Sequence, residues 1–327
     1  QSQTGVGFEP DMVWVKSRTA TNYHGIADQV RGVKKFIYPN DTLAEETNAT
    51  DYLNSFDSDG FTHGSNGTIG TNAVGYVAWN WLASNTTASN TDGSITSSVS
   101  ANTTAGFSIV SYTGTGSTAT VGHGLGVQPD LIILKARDRS DNWWVYHKGL
   151  SDPSTKAILL NSSNAEFTPG TSAFNTSTFS SSVFGILTDS ASNASGEDYI
   201  AYCMNEKKGY SKFGSYTGNG STDGTFVYTG FKPSWLMVKQ TNTSGEGWYM
   251  WDNKRSSSGG ANENDRYLIA SATSAEGTLG VDCDFLSNGF KHRYTGSASN
   301  GSGGTYIYMA FAESPFVTST GIPTTAR

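Results

Sequence analysis

Apolar positions along this chain come in short runs, and one run recurs three times inside the same ten-residue frame. The frame reads GFEPDMVWVK from Gly7 to Lys16, GVQPDLIILK from Gly126 to Lys135 and GFKPSWLMVK from Gly230 to Lys239. Short apolar runs rich in branched and aromatic residues, bounded by Gly and Pro, predict buried strands reached from a tight turn. Proline donates no backbone N–H, so Pro10, Pro129 and Pro233 suit the approach to a strand and not its middle. Lys16, Lys135 and Lys239 close the runs, where a long side chain is expected to reach water. The frame therefore reads as scaffold. A lysine active site used three times is the competing reading, and no partner group recurs beside it in the sequence.

The likeness continues past the frame. An aromatic stretch follows in each copy: NYHGIAD (Asn22 to Asp28), NWWVYHK (Asn142 to Lys148) and GWYMWDN (Gly247 to Asn253). A second strand comes next (KKFIYPN, TKAILLN, DRYLIAS), and then FDSDGF, FSSSVF and FLSNGF. Each copy closes on YVAWNW from Tyr76, YIAYCMNE from Tyr199 or YIYMAFAE from Tyr306. Landmarks in one order at similar spacing imply duplication. Copies 2 and 3 share a leading strand, GFSIVSYTGTGS (Gly106 to Ser117) and GYSKFGSYTGNGS (Gly209 to Ser221). Copy 1 has no counterpart, as if an upstream segment were removed or a neighbouring chain supplied the strand. A sheet lacking a strand exposes an edge that recruits partners. The free edge is expected along Met12 to Lys16, with a neighbour's segment around Ile95 to pair with it.

No stretch holds a helical period; DTLAEETNATDYLNSF (Asp41 to Phe56) comes nearest. The expected fold is all-β: three tandem β-sandwich, jelly-roll-like repeats, the first lacking its leading strand. The boundaries are 1–83 for truncated repeat 1, 84–105 for a Ser/Thr/Asn-rich linker with a short edge strand around Ile95, 106–208 for repeat 2, 209–316 for repeat 3 and 317–327 for a C-terminal tail.

Composition narrows the function classes. Charged residues make up only 15% and the net charge is −7, which leaves no basic footprint for nucleic acid. Aromatics at 12% argue against disorder. No apolar run approaches the roughly 20 residues that span a bilayer, so membrane insertion is not expected. Cys203 and Cys283 occupy non-equivalent positions in different copies, which predicts reduced thiols.

Candidate chemistry is sparse. The five histidines, His24, His63, His123, His147 and His292, show no metal-ligand spacing. DSDG (Asp57 to Gly60) resembles the start of a calcium loop but lacks its later ligands, and a hairpin turn explains it as well. Glu197, Asp198 and Glu206 are the carboxylates nearest to a glycosidase pair, and the Gly-rich stretch Gly114 to Gly126 lacks the Lys-Ser/Thr ending of a phosphate loop. No cofactor or metal is expected. The clustered rings Trp143, Trp144, Tyr146, Trp248, Tyr249 and Trp251 remain: facing inward they fill a core, and facing outward they contact a glycan or another subunit.

The stretch from Gly93 to Leu150, with the closing YIYMAFAESPFV and GIPTTAR, resembles a repeat domain of unknown biochemical function found in virion proteins of tailed, often marine, phages. The resemblance covers nearly the whole chain and carries no catalytic motif, so it implies a protein that is not an enzyme. It implies a structural protein on the virion exterior, in a tail fibre, surface appendage or decoration, assembled in the host cytoplasm. The implied partners are further copies of itself (a homo-oligomer, with a trimer favoured), other virion proteins and host surface glycans. A free lectin-like carbohydrate-binding module and a glycan-degrading enzyme are the alternatives from other classes.

Overall fold

The computed structural model describes residues 1–47, 51–257, 262–278, 280 and 283–312. Asn48, Glu313 and the tail 317–327 lie outside the described residues. The described chain is nearly all β, in several sheets. The stretch Asp41 to Phe56, which comes nearest to a helical period, holds strand and loop wherever it is described. The strands preceding the linker are β1 (Ser2–Thr4), β2 (Met12–Ser17), β3 (His24–Asp28), β4 (Lys35–Phe36), β5 (Glu46–Thr47), β6 (Leu53–Asp57), β7 (Gly60–His63) and β8 (Tyr76–Trp81). Then come β9 (Ala88–Asn90), β10 (Ser97–Asn102), β11 (Phe107–Thr113), β12 (Ala119–Gly122), β13 (Leu131–Ala136), β14 (Trp144–His147), β15 (Ile158–Leu159), β16 (Val183–Ile186) and β17 (Asp198–Met204). The last set is β18 (Ser211–Thr217), β19 (Phe226–Tyr228), β20 (Trp235–Gln240), β21 (Trp248–Asp252), β22 (Glu263–Asn264), β23 (Leu268–Ile269), β24 (Cys283–Leu286), β25 (Gly289–His292) and β26 (Thr305–Phe311).

The three frames become β2, β13 and β20, and all three occupy the same place. Each pairs antiparallel on one side with the following aromatic strand (β3, β14, β21) and on the other with the closing strand (β8, β17, β26). On the far side of the closing strand, β17 carries β11 and β26 carries β18. No such strand lies beside β8 among the described residues. A second layer covers one face of each sheet, built from β1-β7-β6, β12-β16 and β19-β25-β24-β22. We refer to the three groups as units 1, 2 and 3.

Each unit has its own apolar core between its two layers, and a fourth core is shared. Met12, Trp14 and Trp81 of unit 1 meet Ile133, Tyr202 and Met204 of unit 2 and Trp235, Met237 and Phe311 of unit 3. The principal sheets are therefore buried on both faces, which is why β2, β13 and β20 are apolar at nearly every position rather than at alternate ones.

The units meet cyclically through equivalent bonds. His24 Nε2 of unit 1 donates to Ile269 O of unit 3 at 3.0 Å, Trp248 Nε1 of unit 3 to Leu159 O of unit 2 at 2.9 Å, and Trp143 Nε1 of unit 2 to Tyr38 O of unit 1 at 2.9 Å. Backbone bonds repeat the cycle: Asn22 N to Thr273 O, Gly245 N to Ser163 O and Asp141 N to Thr42 O, each 2.9 Å.

Three expectations are corrected here. Lys16, Lys135 and Lys239 do not reach water; all three are fully buried, because a loop of the neighbouring unit closes over the sheet end. Each ammonium donates to the next residue's carbonyl, Ser17 O at 2.9 Å, Ala136 O at 2.7 Å and Gln240 O at 2.7 Å. The free edge of unit 1 is not Met12 to Lys16, since β2 is paired on both sides. Finally, the edge strand in the 84–105 segment is β10, just past Ile95. With β9 it extends unit 2's own sheet beyond β11, while Ile95 bridges to Val121 of the second layer.

Cys203, in β17, and Cys283 are buried. Burial pushes the Cys203 thiol well above its ordinary range, which suppresses the reactive thiolate. In native protein neither cysteine should be alkylated by iodoacetamide within an hour, and both should react fully in denaturant. Mass spectrometry of fast labelling, or of a Cys203–Cys283 bridge, would contradict this.

Candidate functional site

The aromatic stretches are interior. Trp143 and Trp251 are fully buried, Trp144, Tyr146 and Trp248 are buried, and Tyr249 is half-buried against Trp251 and Tyr267. Trp143 and Trp248 sit at the unit-to-unit joints through their indole N–H groups. All eight tryptophans are buried. Tryptophan emission should therefore be blue-shifted and resist iodide quenching, and host oligosaccharide should leave it unchanged; quenching comparable to free indole would contradict this packing. Among the described residues the exposed rings are Phe226 and Tyr228 on β19 and Tyr23. The alternation in Phe226-Val227-Tyr228 was the sequence signal for two of them.

Among the described residues no group of three or more His, Cys, Asp or Glu is placed to hold a metal. DSDG is a hairpin turn between β6 and β7, and Asp59 accepts the N–H groups of Gly5 at 3.0 Å and Gly7 at 2.7 Å. Asp198 and Glu206 flank opposite ends of β17, roughly 25 Å of extended chain apart, too far for the paired carboxylates of glycoside cleavage. Glu206 is engaged by Lys148 at 2.6 Å and Lys212 at 3.1 Å. His24 and His147 occupy different positions in the repeat: register sets His24 with Trp143 and Trp248, and His147 with Asp28 and Asp252.

That second set carries a polar network between units. Asp28 accepts from Arg31 at 2.6 Å and from the Tyr202 hydroxyl of unit 2 at 2.7 Å. Arg31 also meets Glu45 at 3.1 Å, and Glu45 takes both Arg137 nitrogens at 3.0 Å. Burial alone would raise the Glu45 carboxyl, but Arg137 and Arg31 together hold it below its ordinary range. Unit 3 repeats the design: Asp252 accepts from Arg255 at 2.5 Å and from Trp79 Nε1 of unit 1 at 3.0 Å, and Arg255 reaches Glu276 at 3.0 Å. Unit 2 has His147 and Leu150 there, and His147 Nε2 donates to Tyr308 O of unit 3 at 3.0 Å. The sequence signal was the Asp-x-x-Arg spacing at 28–31 and 252–255.

Among the described residues β8 is an edge of its sheet. The ladder to β2 includes Arg18 N to Gly75 O at 2.6 Å. Antiparallel alternation then directs Val77, Trp79 and Trp81 toward β2, and the N–H and C=O of Tyr76, Ala78 and Asn80 away from it. In unit 2 the equivalent groups on Tyr199, Ala201 and Cys203 bond β11. Beside β8 a cleft of about 410 Å³ opens between the two layers of unit 1, lined by Phe61, His63, Ile69, Tyr76, Ala78 and Asn80 among others. Asn80 Oδ1 is buried there without a hydrogen-bond partner. The closing strands β17 and β26 are buried nearly throughout, whereas most of β8 is only half-buried.

Comparison with known proteins adds a family. Residues 1–315 match the family described as Domain of unknown function (DUF7483). The chain belongs to that family. The match runs through all three units without a break, so one DUF7483 domain spans the shared core and the open edge alike. No curated protein and no solved structure matches.

Proposed function

We propose that this DUF7483 chain is a structural protein of a phage virion, in a tail fibre or surface appendage. The observation that carries this reading is the build: three two-layer β units packed around one shared apolar core and tied in a cycle by equivalent bonds, which suits a durable exterior part. A free lectin-like module would need exposed rings in the aromatic stretches, and those rings are packed inside. On this reading the three units are copies of one jelly-roll-like β-sandwich. The partners are other virion proteins and further copies of the chain, with a trimer as the fibre stoichiometry; host glycan contact falls to the exposed rings of β19.

Quantitative mass spectrometry and immunogold labelling of purified particles test the proposal. Stoichiometric copies on the particle exterior are expected. Particles that lack the chain, or a chain that turns over host polysaccharide, would overturn it.

A further inference from the structure

The outer face of unit 3's second layer carries two rings side by side. Phe226 and Tyr228 stand on β19 either side of Val227. Val227 enters the unit 3 core, so strand alternation turns both rings outward. Phe226 is 44% exposed and Tyr228 63%. On β25 the register sets Lys291 opposite Phe226 and Gly289 opposite Tyr228.

The other two units show what the scaffold requires at these positions. Phe61, Phe184 and Phe290 end the equivalent phrases FDSDGF, FSSSVF and FLSNGF, and they pair with Gln3, Val121 and Val227. The flanking residues are Ser2 and Thr4 in unit 1 and Thr120 and Gly122 in unit 2, where unit 3 has Phe226 and Tyr228. Two units build the same strand with small residues. The rings of β19 are therefore not needed for the fold, and the apolar surface they leave in water is available to a ligand.

The surroundings hold the rings and set polar groups beside them. A Cβ on Gly289 would stand 2.8 Å from Phe226 Cε2, so the ring lies across the place where a side chain would otherwise rise. Lys291 Nζ meets Asp223 at 2.5 Å, and Arg293 meets Asp223 at 3.3 Å and Asp284 at 2.7 Å. This ion-paired array keeps its carboxylate lone pairs and cationic N–H groups in place beside the apolar platform. A pyranose has the matching surface, a face of C–H bonds inside a rim of hydroxyls that both donate and accept. Lys291 and Arg293 are already neutralised, and Glu263 follows Asp284 across the same face, which disfavours an acidic sugar. A protein partner covers about 800 Å² on each side of a standard interface, whereas the exposed parts of the two rings amount to roughly 200 Å², the size of a small saccharide.

We propose that this face of unit 3 is a binding site for a neutral hexopyranoside, its C–H face stacked on Phe226 and Tyr228 and its hydroxyls bonded to Asp223, Lys291 and Arg293. This rests on the reading of the chain as an exterior part of a virion, and it names the class of sugar that the exposed rings take.

The test titrates the full chain with lactose and cellobiose, with sialyllactose as the acidic control, and reads binding by calorimetry and by NMR saturation transfer to the sugar protons. Saturable binding of a neutral disaccharide is expected, with transfer strongest to the C–H protons of one ring face. Phe226→Ser combined with Tyr228→Thr, the pair that unit 1 carries, should weaken binding at least tenfold and leave the urea midpoint unchanged, and Tyr228→Trp should keep binding. Absence of saturable binding to both neutral sugars, equal binding by the double variant, or tighter binding of sialyllactose overturns the proposal. So does a concentration-dependent dimer that the double variant abolishes, which would assign the rings to a second copy. Particles that carry the chain while both sugars fail would refute the site and leave the virion reading standing; bound sugar with no chain on particles would do the reverse.

Discussion

Lowering the pH from 7 to 5 is expected to cost this protein several kcal/mol of folding stability. All five histidines have depressed pKa values, and burial is the first cause in each case. His123 and His147 fall to about 4 and His292 to about 3. Their hydrogen bonds match neutral rings. His24 accepts Trp14 Nε1 at Nδ1 and donates from Nε2 to Ile269 O; His147 accepts Gly149 N at Nδ1 and donates from Nε2 to Tyr308 O. A second proton would set N–H against N–H. His292 sits among Tyr216, Trp251 and Phe290 with neither nitrogen hydrogen-bonded. The unfolded chain takes up protons below about pH 6.5, while the folded chain does not until its lower pKa values are reached. Stability is therefore full above pH 6.5 and falls as the pH drops through the window from 6.5 toward 4. His123, His147 and His292 each lose about 2 kcal/mol between pH 7 and 5, against a total of about 5–15 kcal/mol for a typical domain. Urea denaturation at the two pH values measures this, and His292→Phe should remove its share. Equal midpoints at pH 7 and 5 would show that these rings titrate normally.

The second large effect lies at the joint between units 1 and 2. Asp28→Ala should destabilise the protein by about 3–5 kcal/mol, because it leaves the Arg31 charge buried without its main partner. It also removes the acceptor of the Tyr202 hydroxyl. Unit 2 shows the way out: Leu150 stands where Arg31 does, with no charge to satisfy. Asp28→Ala combined with Arg31→Leu should therefore cost clearly less than Asp28→Ala alone. A double-mutant cycle read by chemical denaturation gives the coupling; strictly additive losses would mean that the pair is solvated and the joint looser than described.

These two expectations depend on features that differ in how far the sequence exposes them. The frames predicted β2, β13 and β20 because apolar runs bounded by Gly and Pro have few other uses. The leading strands of units 2 and 3 were legible by comparing copies, since Tyr112 and Tyr216 lie in one shared phrase. The edge position of β8 was not. Strand order is a long-range property, and nothing within Met12 to Lys16 reveals that β2 lies inside its sheet while β8 lies at its edge. The burial of Lys16, Lys135 and Lys239 was hidden for the same reason: a lysine ending a strand reads as exposed unless the neighbouring unit's loop is known to cover it. The clustered tryptophans were ambiguous because a period of two assigns rings to two faces, and here both faces are covered. The closing tyrosines Tyr199 and Tyr306 stood in plain view, each at the start of its closing strand, but their stacking partners Tyr112 and Tyr216 could be assigned only once the strands were ordered in space.

The most direct measurement is a high-resolution cryo-electron microscopy map of purified phage particles. The chain should be resolved on the particle exterior, with its three units packed around the shared core of Trp14, Ile133 and Met237. A map of the complete particle in which no exterior density fits the three units would contradict the virion reading.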